Sequence, residues 1–314
     1  MPHRLAATLA LSLLLMTPAV TAQSPQRLFY SGHSLLDEPL PRDVAAIAAS
    51  LGTPLQHWER DTPPGSSMRE RVAAGAWPRE SIDTLVVTEQ HTLVGNLVWN
   101  DSAGQLRRLH ERLIAANPRS RTWFYASWLN VDDKADPRRW IAYERAASPI
   151  WQCLVDRSNA SIAAQGRADR IEFLPAAALL AALIERVTQG GVAGVSVALL
   201  IRDNVHLTPL GSYFMALVVH ATLFERSPAG AAVPEGVDAV TARVLQGLAW
   251  ELVQQERARR QSLSQPACRE RTQAFVATYA AYVRDVVYRP QLGPWRAWWL
   301  WAKHRVQWHW ALRG

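Results

Sequence analysis

Four short segments of this chain are apolar at nearly every position instead of at alternate ones: Arg27-Leu28-Phe29-Tyr30, Thr84-Leu85-Val86-Val87, Thr122-Trp123-Phe124-Tyr125 and Ile171-Glu172-Phe173-Leu174. A strand can be apolar on both sides only where helices cover both faces of its sheet. The stretches between them carry helical spacing, over residues 44–51, 103–116, 137–164 and 176–187, and a further helix is expected over 209–224. A fifth strand-like run lies at residues 55–59. Strand and helix in alternation predict a parallel sheet inside a layered α/β domain. Beyond residue 228 the pattern is helical only, over 237–257 and 272–287. The expected organisation is therefore an α/β domain over residues 26–228 and a helical extension over 229–314.

Open α/β sheets collect their reactive groups where strands end and loops begin. Gly32-His33-Ser34-Leu35 follows the first strand, Glu89-Gln90-His91 a later one, and Ser127-Trp128 another. Asp203-Asn204-Val205-His206-Leu207-Thr208 precedes the helix expected from Pro209. Ser34 has the placement of a nucleophile, on a turn opened by a glycine and expected to lead into a helix whose first N–H groups can face an oxyanion. A serine hydroxyl needs a base to take its proton. His206 is the candidate, with Asp203 three residues earlier to hold the imidazole tautomer. Glu89 admits two readings, a second carboxylate in the cleft or a solvated loop acid. His91 and His110 have no metal-ligand partners at short spacing, so no metal site is expected.

The pairing of Gly32-His33-Ser34-Leu35 with Asp203-Asn204-Val205-His206-Leu207 and Gly211 resembles the SGNH (GDSL-type) hydrolases over residues 27–228. The resemblance implies a three-layer α/β/α, flavodoxin-like domain that cleaves esters without a cofactor. It implies Ser34 as nucleophile, His206 as general base and Asp203 as its partner. It also implies backbone donors to the oxyanion at Ser34 and at Gly65, in Pro64-Gly65-Ser66-Ser67. The sequence departs from the family in two places. His33 stands where the family carries Asp, and Glu89-Gln90 stands where it supplies an Asn donor, so that Gln90 becomes the third oxyanion candidate and Asn96 and Asn100 the alternatives. His33, Trp58 and Trp128 are the expected substrate contacts, each with core packing as its rival. The implied activity is hydrolysis of short acyl esters, for instance acetyl groups on carbohydrate. Acyl transfer to an extracellular polysaccharide and a catalytically impaired polysaccharide- or envelope-binding protein are the alternatives.

Residues 1–22 have the layout of an export signal: Arg4, an apolar run from Leu5 to Met16, Pro18, and small residues ending at Ala22. An export signal implies a periplasmic or secreted protein; the rival reading, a retained membrane anchor, asks for an apolar run of about 20 residues, longer than this one. Cys153 and Cys268 are the only two cysteines, which permits one disulfide or two free thiols.

The formal charge of +7 invites a nucleic-acid reading. Its distribution argues against one, because residues 290–314 contribute four cations and no acid. The same segment holds six of the 14 tryptophans. On a helical projection Trp295, Trp298, Trp299, Ala302, Val306 and Trp310 share a broad face, with Trp301 and Trp308 elsewhere. Packing on the domain, disorder, and contact with a membrane surface or anionic polymer through Trp295, Arg296, Trp298, Trp299, Lys303 and Arg305 are the readings of this tail.

Overall fold

Five parallel strands, β1 (Arg27–Ser31), β2 (His57–Asp61), β3 (Thr84–Val87), β4 (Arg121–Tyr125) and β5 (Ile171–Leu174), form one sheet in the order β2-β1-β3-β4-β5. The computed structural model of the chain describes residues 26–311, so the export signal read at residues 1–22 lies outside the described residues. β1, β3 and β4 are buried almost throughout, as continuous apolar runs require. β2 is the half-exposed edge, with the mixed sequence His-Trp-Glu-Arg-Asp, and it starts two residues later than the apolar run suggests.

The helices are α1 (Leu40–Ser50), α2 (Met68–Ala74), α3 (Leu93–Trp99), α4 (Ser102–Ala116), α5 (Arg138–Ala163), α6 (Ala176–Thr188), α7 (Val197–Leu200) and α8 (Pro209–Leu223). The remaining three are α9 (Ala239–Arg259), α10 (Gln265–Val283) and α11 (Arg289–Ala311). α1 packs on α8, and α4 packs on α2 and α5, which places helices on both faces of the sheet. The fold is thus α/β with a parallel sheet, as its apolar strands require. α8 is buried on every side, and Pro209 at its first turn and the Thr208 hydroxyl accepting the Gly211 N–H set its start.

After α8 the chain is helical, as its spacing predicts. α9 lies against α8, and α10 against α5. Cys153 in α5 and Cys268 in α10 are joined by a disulfide with their Cα atoms 5.5 Å apart. Tyr143 of α5 stacks on Tyr282 of α10 at 4.2 Å between ring centroids. A π-helical turn, Arg284–Tyr288, joins α10 to α11, and Gly293 (φ 77°) breaks the helical path before Pro294.

One buried acid makes stability depend on pH. Glu144 of α5 is buried and accepts a 2.7 Å hydrogen bond from the Leu129 N–H. Burial pushes its carboxyl up to about 8, against the pull of that N–H. The folded chain therefore holds a proton that the unfolded chain releases near pH 4.5. Its stabilising contribution is full below that pH, falls as pH rises, and is lost above about pH 8, a change on the order of a few kcal/mol. Glu144→Gln keeps the acceptor and cannot ionise. The stability of the variant relative to the parent is expected to rise steadily between pH 5 and 8, measured by denaturant unfolding. A difference that stays constant with pH would disprove the assignment.

Candidate active site

The carboxyl ends of β1, β3 and β4 present three loops side by side, at the point where the chain turns to β2 on one side of β1 and to β3 on the other. Such a switch point is where open α/β sheets open a crevice. Ser34 follows β1 and is partly exposed. The chain around it is a turn closed by the Leu36 N–H on the His33 carbonyl at 2.8 Å, and α1 begins only at Leu40. The expected helix start at Ser34 is corrected accordingly: its N–H is free to donate because the turn leaves it unbonded among the described residues, without help from a helix dipole.

His206 reaches Ser34 across 172 positions of sequence, with Nε2 accepting from the Ser34 Oγ–H at 3.0 Å. Its Nδ1–H donates to Asp203 Oδ2 at 2.8 Å. The other Asp203 oxygen accepts the Val205 and His206 N–H groups, each at 2.8 Å. Burial disfavours the Asp203 anion, but these two N–H groups and the imidazole outweigh it and hold the carboxyl well below the usual carboxylate range. Asp203 is therefore the anion that fixes the His206 tautomer. The structure brings Ser34, His206 and Asp203 together in one hydrogen-bonded series.

The loop carrying the pair is closed on itself and braced from outside. Ile201 bridges to Leu207, and the Arg202 N–H donates to the His206 carbonyl at 2.8 Å. The Val131 N–H donates to the Asn204 carbonyl at 2.7 Å, and the Trp128 indole N–H to the Val205 carbonyl at 2.8 Å. Gly211 lets α8 approach beneath: a Cβ there would lie 2.2 Å from the Leu200 carbonyl oxygen. The loop position is thus set by Trp128, Val131 and the Ile201–Leu207 bridge, together with the Asp203 carboxylate that accepts two of the loop's own N–H groups, and by nothing that requires the His206 ring.

Several expected roles change. Trp128 is fully buried and holds the His206 loop instead of facing a substrate. Trp58 lies within β2, opposite Leu28 and packed against the core, three residues short of the strand's carboxyl end. His33 is buried too: its Nε2–H donates to the Glu89 carbonyl at 3.1 Å, and its Nδ1 accepts from the Leu35 N–H at 3.4 Å. Burial, with His91 beside it, lowers the His33 imidazole to about 3, so it is a neutral strut between the Ser34 turn and the end of β3. Glu89 is neither a cleft acid nor solvated. Its buried carboxyl accepts the Met68 and Gln90 N–H groups and the Ser102 hydroxyl at 2.6–2.9 Å.

Gln90 is freer than either asparagine to act as a side-chain donor. Its oxygen is held by the Thr92 hydroxyl and by Asn96 Nδ2, while its own amide N–H₂ has no partner among the described residues. Asn96 is buried and spends its amide on Gln90 and Thr92, and Asn100 spends its own on Asn96. Gly65, in the loop after β2, keeps an unbonded N–H among the described residues. That loop is tied to the nucleophile turn by Ser66 Oγ donating to the Gly32 carbonyl at 3.1 Å.

Arg71 of α2 is the structural residue that sequence reasoning misses. Its buried guanidinium donates to Ser31 Oγ, to Ser66 through both carbonyl and hydroxyl, and to the Thr88 carbonyl. It ties the ends of β1 and β3 to the Gly65 loop. Burial lowers it to about 10, although Glu89 and Asp61 favour its charge. Its partners are two carbonyls and two hydroxyls spread over three segments, so no local pattern announces it.

The sequence matches no family model and no curated relative. Among solved structures, a DUF4886 family protein from Bacteroides uniformis is similar at 14% identity and a TM-score of 0.50, over 76% of this chain and 98% of its own. A protein described as a GDSL-like lipase, from Parabacteroides merdae, is 12% identical with a TM-score of 0.40, over 74% of this chain and 100% of its own. A Streptococcus pneumonia protein described as a platelet activating factor is 15% identical with a TM-score of 0.39, over 65% of this chain and 85% of its own. At such identity the likeness to the first is one of fold. Chemistry has to be argued from the site itself.

Proposed function

We propose that this chain is a serine hydrolase of acyl esters, and the hydrogen-bonded series Ser34–His206–Asp203 carries that reading. Ser34 Oγ attacks the ester carbonyl while its proton passes to His206 Nε2. The oxyanion that forms takes hydrogen bonds from the Ser34 and Gly65 N–H groups and the Gln90 amide. Collapse breaks the bond to the alcohol, which leaves with the proton from His206. Water, deprotonated by His206, then attacks the acyl-serine, releases the acid and restores Ser34.

The site favours a substrate presented on something large. The His206 and Asp203 side chains are 36% and 45% exposed, so the nucleophile sits at an open surface and not at the end of a deep acyl tunnel. A short acyl group on a carbohydrate fits this better than a long-chain lipid ester, which needs an apolar channel. The same openness would admit a sugar hydroxyl in place of water, making transfer a second outcome for one acyl-enzyme. The buried Cys153–Cys268 bridge supports an oxidising, extracytoplasmic setting, and the export-signal-like layout of residues 1–22 agrees with it.

Fluorophosphonate labelling followed by peptide mass spectrometry tests the reading. The label is expected on Ser34, and incubation with acetylated sugars is expected to release acetate. A folded, unlabelled protein by circular dichroism would overturn it. Comparing free acetate with acetyl transferred to added oligosaccharide then separates hydrolysis from transfer.

A further inference from the structure

α11 is apolar on two opposite faces, and only one of them is used by the fold. Ala297, Leu300, Trp301, His304 and Trp308 turn inward. Trp308 is buried against Trp99 of α3 and Tyr279 of α10, at 5.8 and 5.0 Å between ring centroids, and His304 meets Tyr288 through a 3.0 Å hydrogen bond. The helix is therefore fixed to the body and cannot roll to hide its other face.

That other face is Trp295, Trp299, Ala302 and Val306, spaced i, i+4, i+7 and i+11, which at 3.6 residues per turn makes a single stripe. Trp295 is 87% exposed, Trp299 61% and Val306 58%. Arg296 and Lys303 run along one side of the stripe, Trp298 and Arg305 along the other, all exposed. Lys303 Nζ lies 5.0 Å from the Trp299 ring centroid, so charge and indole share the same rim. No acid occurs anywhere in residues 286–314, which hold five cations.

We infer that the outer face of α11 docks on an anionic lipid bilayer surface, with Trp295, Trp299 and Val306 entering the interface and Arg296, Lys303 and Arg305 at the headgroups. Indoles and cations with long apolar stems are the groups that settle at this boundary. Ala302 and Val306 decide between partners. A polysaccharide offers ring faces to tryptophan but no apolar medium in which an aliphatic side chain is buried. A second copy of the chain is disfavoured by the three like charges that flank the stripe, Arg296, Lys303 and Arg305. No helix among the described residues is long and apolar enough to cross a membrane, so the contact is one of surface docking. The inner face ties this surface to the catalytic edge, because α3 begins directly after the Gln90 loop. The inference does not depend on the catalytic reading, since binding is measured without turnover.

The test is sedimentation of the full chain with vesicles of phosphatidylcholine alone or with phosphatidylglycerol, followed also by the blue shift of tryptophan emission. Binding at least about tenfold tighter to the phosphatidylglycerol vesicles is expected, and weaker binding as salt is raised. Trp295→Ser with Trp299→Ser should lower the affinity by at least about tenfold, and Arg296→Glu with Lys303→Glu should remove the preference for phosphatidylglycerol. These side chains make few contacts with the body, and an unchanged melting temperature checks that each variant folds. Equal affinity of parent and Trp variants for vesicles would overturn the inference. So would capture by an acidic polysaccharide column with no binding to either vesicle.

Discussion

Replacing His206 with Ala is expected to lower ester turnover by at least about three orders of magnitude while leaving the fold unchanged. The serine hydroxyl is a weak nucleophile until its proton is taken, and Nε2 of His206, 3.0 Å away, is the group placed to take it. His206 contributes little to stability: its ring is partly exposed, and the loop is held by Trp128, Val131 and the Ile201–Leu207 bridge through backbone atoms. Asp203→Asn should cost two to four orders by a different route. The amide would still accept the Val205 and His206 N–H groups through its oxygen, but it would turn an N–H₂ toward Nδ1. That forces the proton onto Nε2, where it blocks acceptance from Ser34. Because the three act as a unit, Ser34→Ala combined with His206→Ala should be no slower than either alone. Steady-state rates on an activated acetyl ester, with circular dichroism as the folding check, decide the matter. If His206→Ala stayed within tenfold of the parent, another group would have to be the base.

The strands and the placement of Ser34 are legible for one physical reason and the surrounding shell is not for another. β3 matches its apolar run to the residue because both of its faces are covered, so burial is written into consecutive positions; β5, the other edge, also matches, its three buried residues bracketing the half-exposed Glu172. β2 is an edge and its start is blurred by His57 and Arg60, which water accommodates. α2 and α3 escape because seven residues are two turns, too few for a period to stand out. Ser34 and the Asp203–His206 loop are found by position relative to strands and helices, which periodicity supplies. Trp128, His33, Glu89 and Arg71 are misread or unseen because each binds a backbone group far away in sequence. A tryptophan in a cleft and a tryptophan propping up a loop have the same letter. Only the partner of its N–H tells them apart.

Removing the disulfide with Cys153→Ala and Cys268→Ala is expected to cost about 3–5 kcal/mol of stability under oxidising conditions. The bridge spans 115 residues, and cross-linking a loop of that length removes about 4.7 kcal/mol of chain entropy from the unfolded state. Both sulfurs are buried between α5 and α10, so small apolar replacements leave neither a charge nor an unpaired donor. The bridge and the stacked Tyr143–Tyr282 pair hold α10 to α5, and the Tyr282 hydroxyl donates to the Asn130 carbonyl at 2.8 Å. Asn130 adjoins Val131, whose N–H holds Asn204 in the His206 loop. α10 thus braces that loop through the 130–131 peptide, while the Trp128 indole and Lys134 Nζ brace it independently. Since the Trp128 brace does not pass through α10, turnover well below the melting temperature should fall by less than about threefold in the double Ala variant. Denaturant unfolding measures the first effect and steady-state kinetics the second. A stability loss under about 1 kcal/mol would mean that the unfolded chain gains little freedom when the bridge is absent. A large loss of turnover at low temperature would mean instead that α10, and not Trp128, sets where His206 stands.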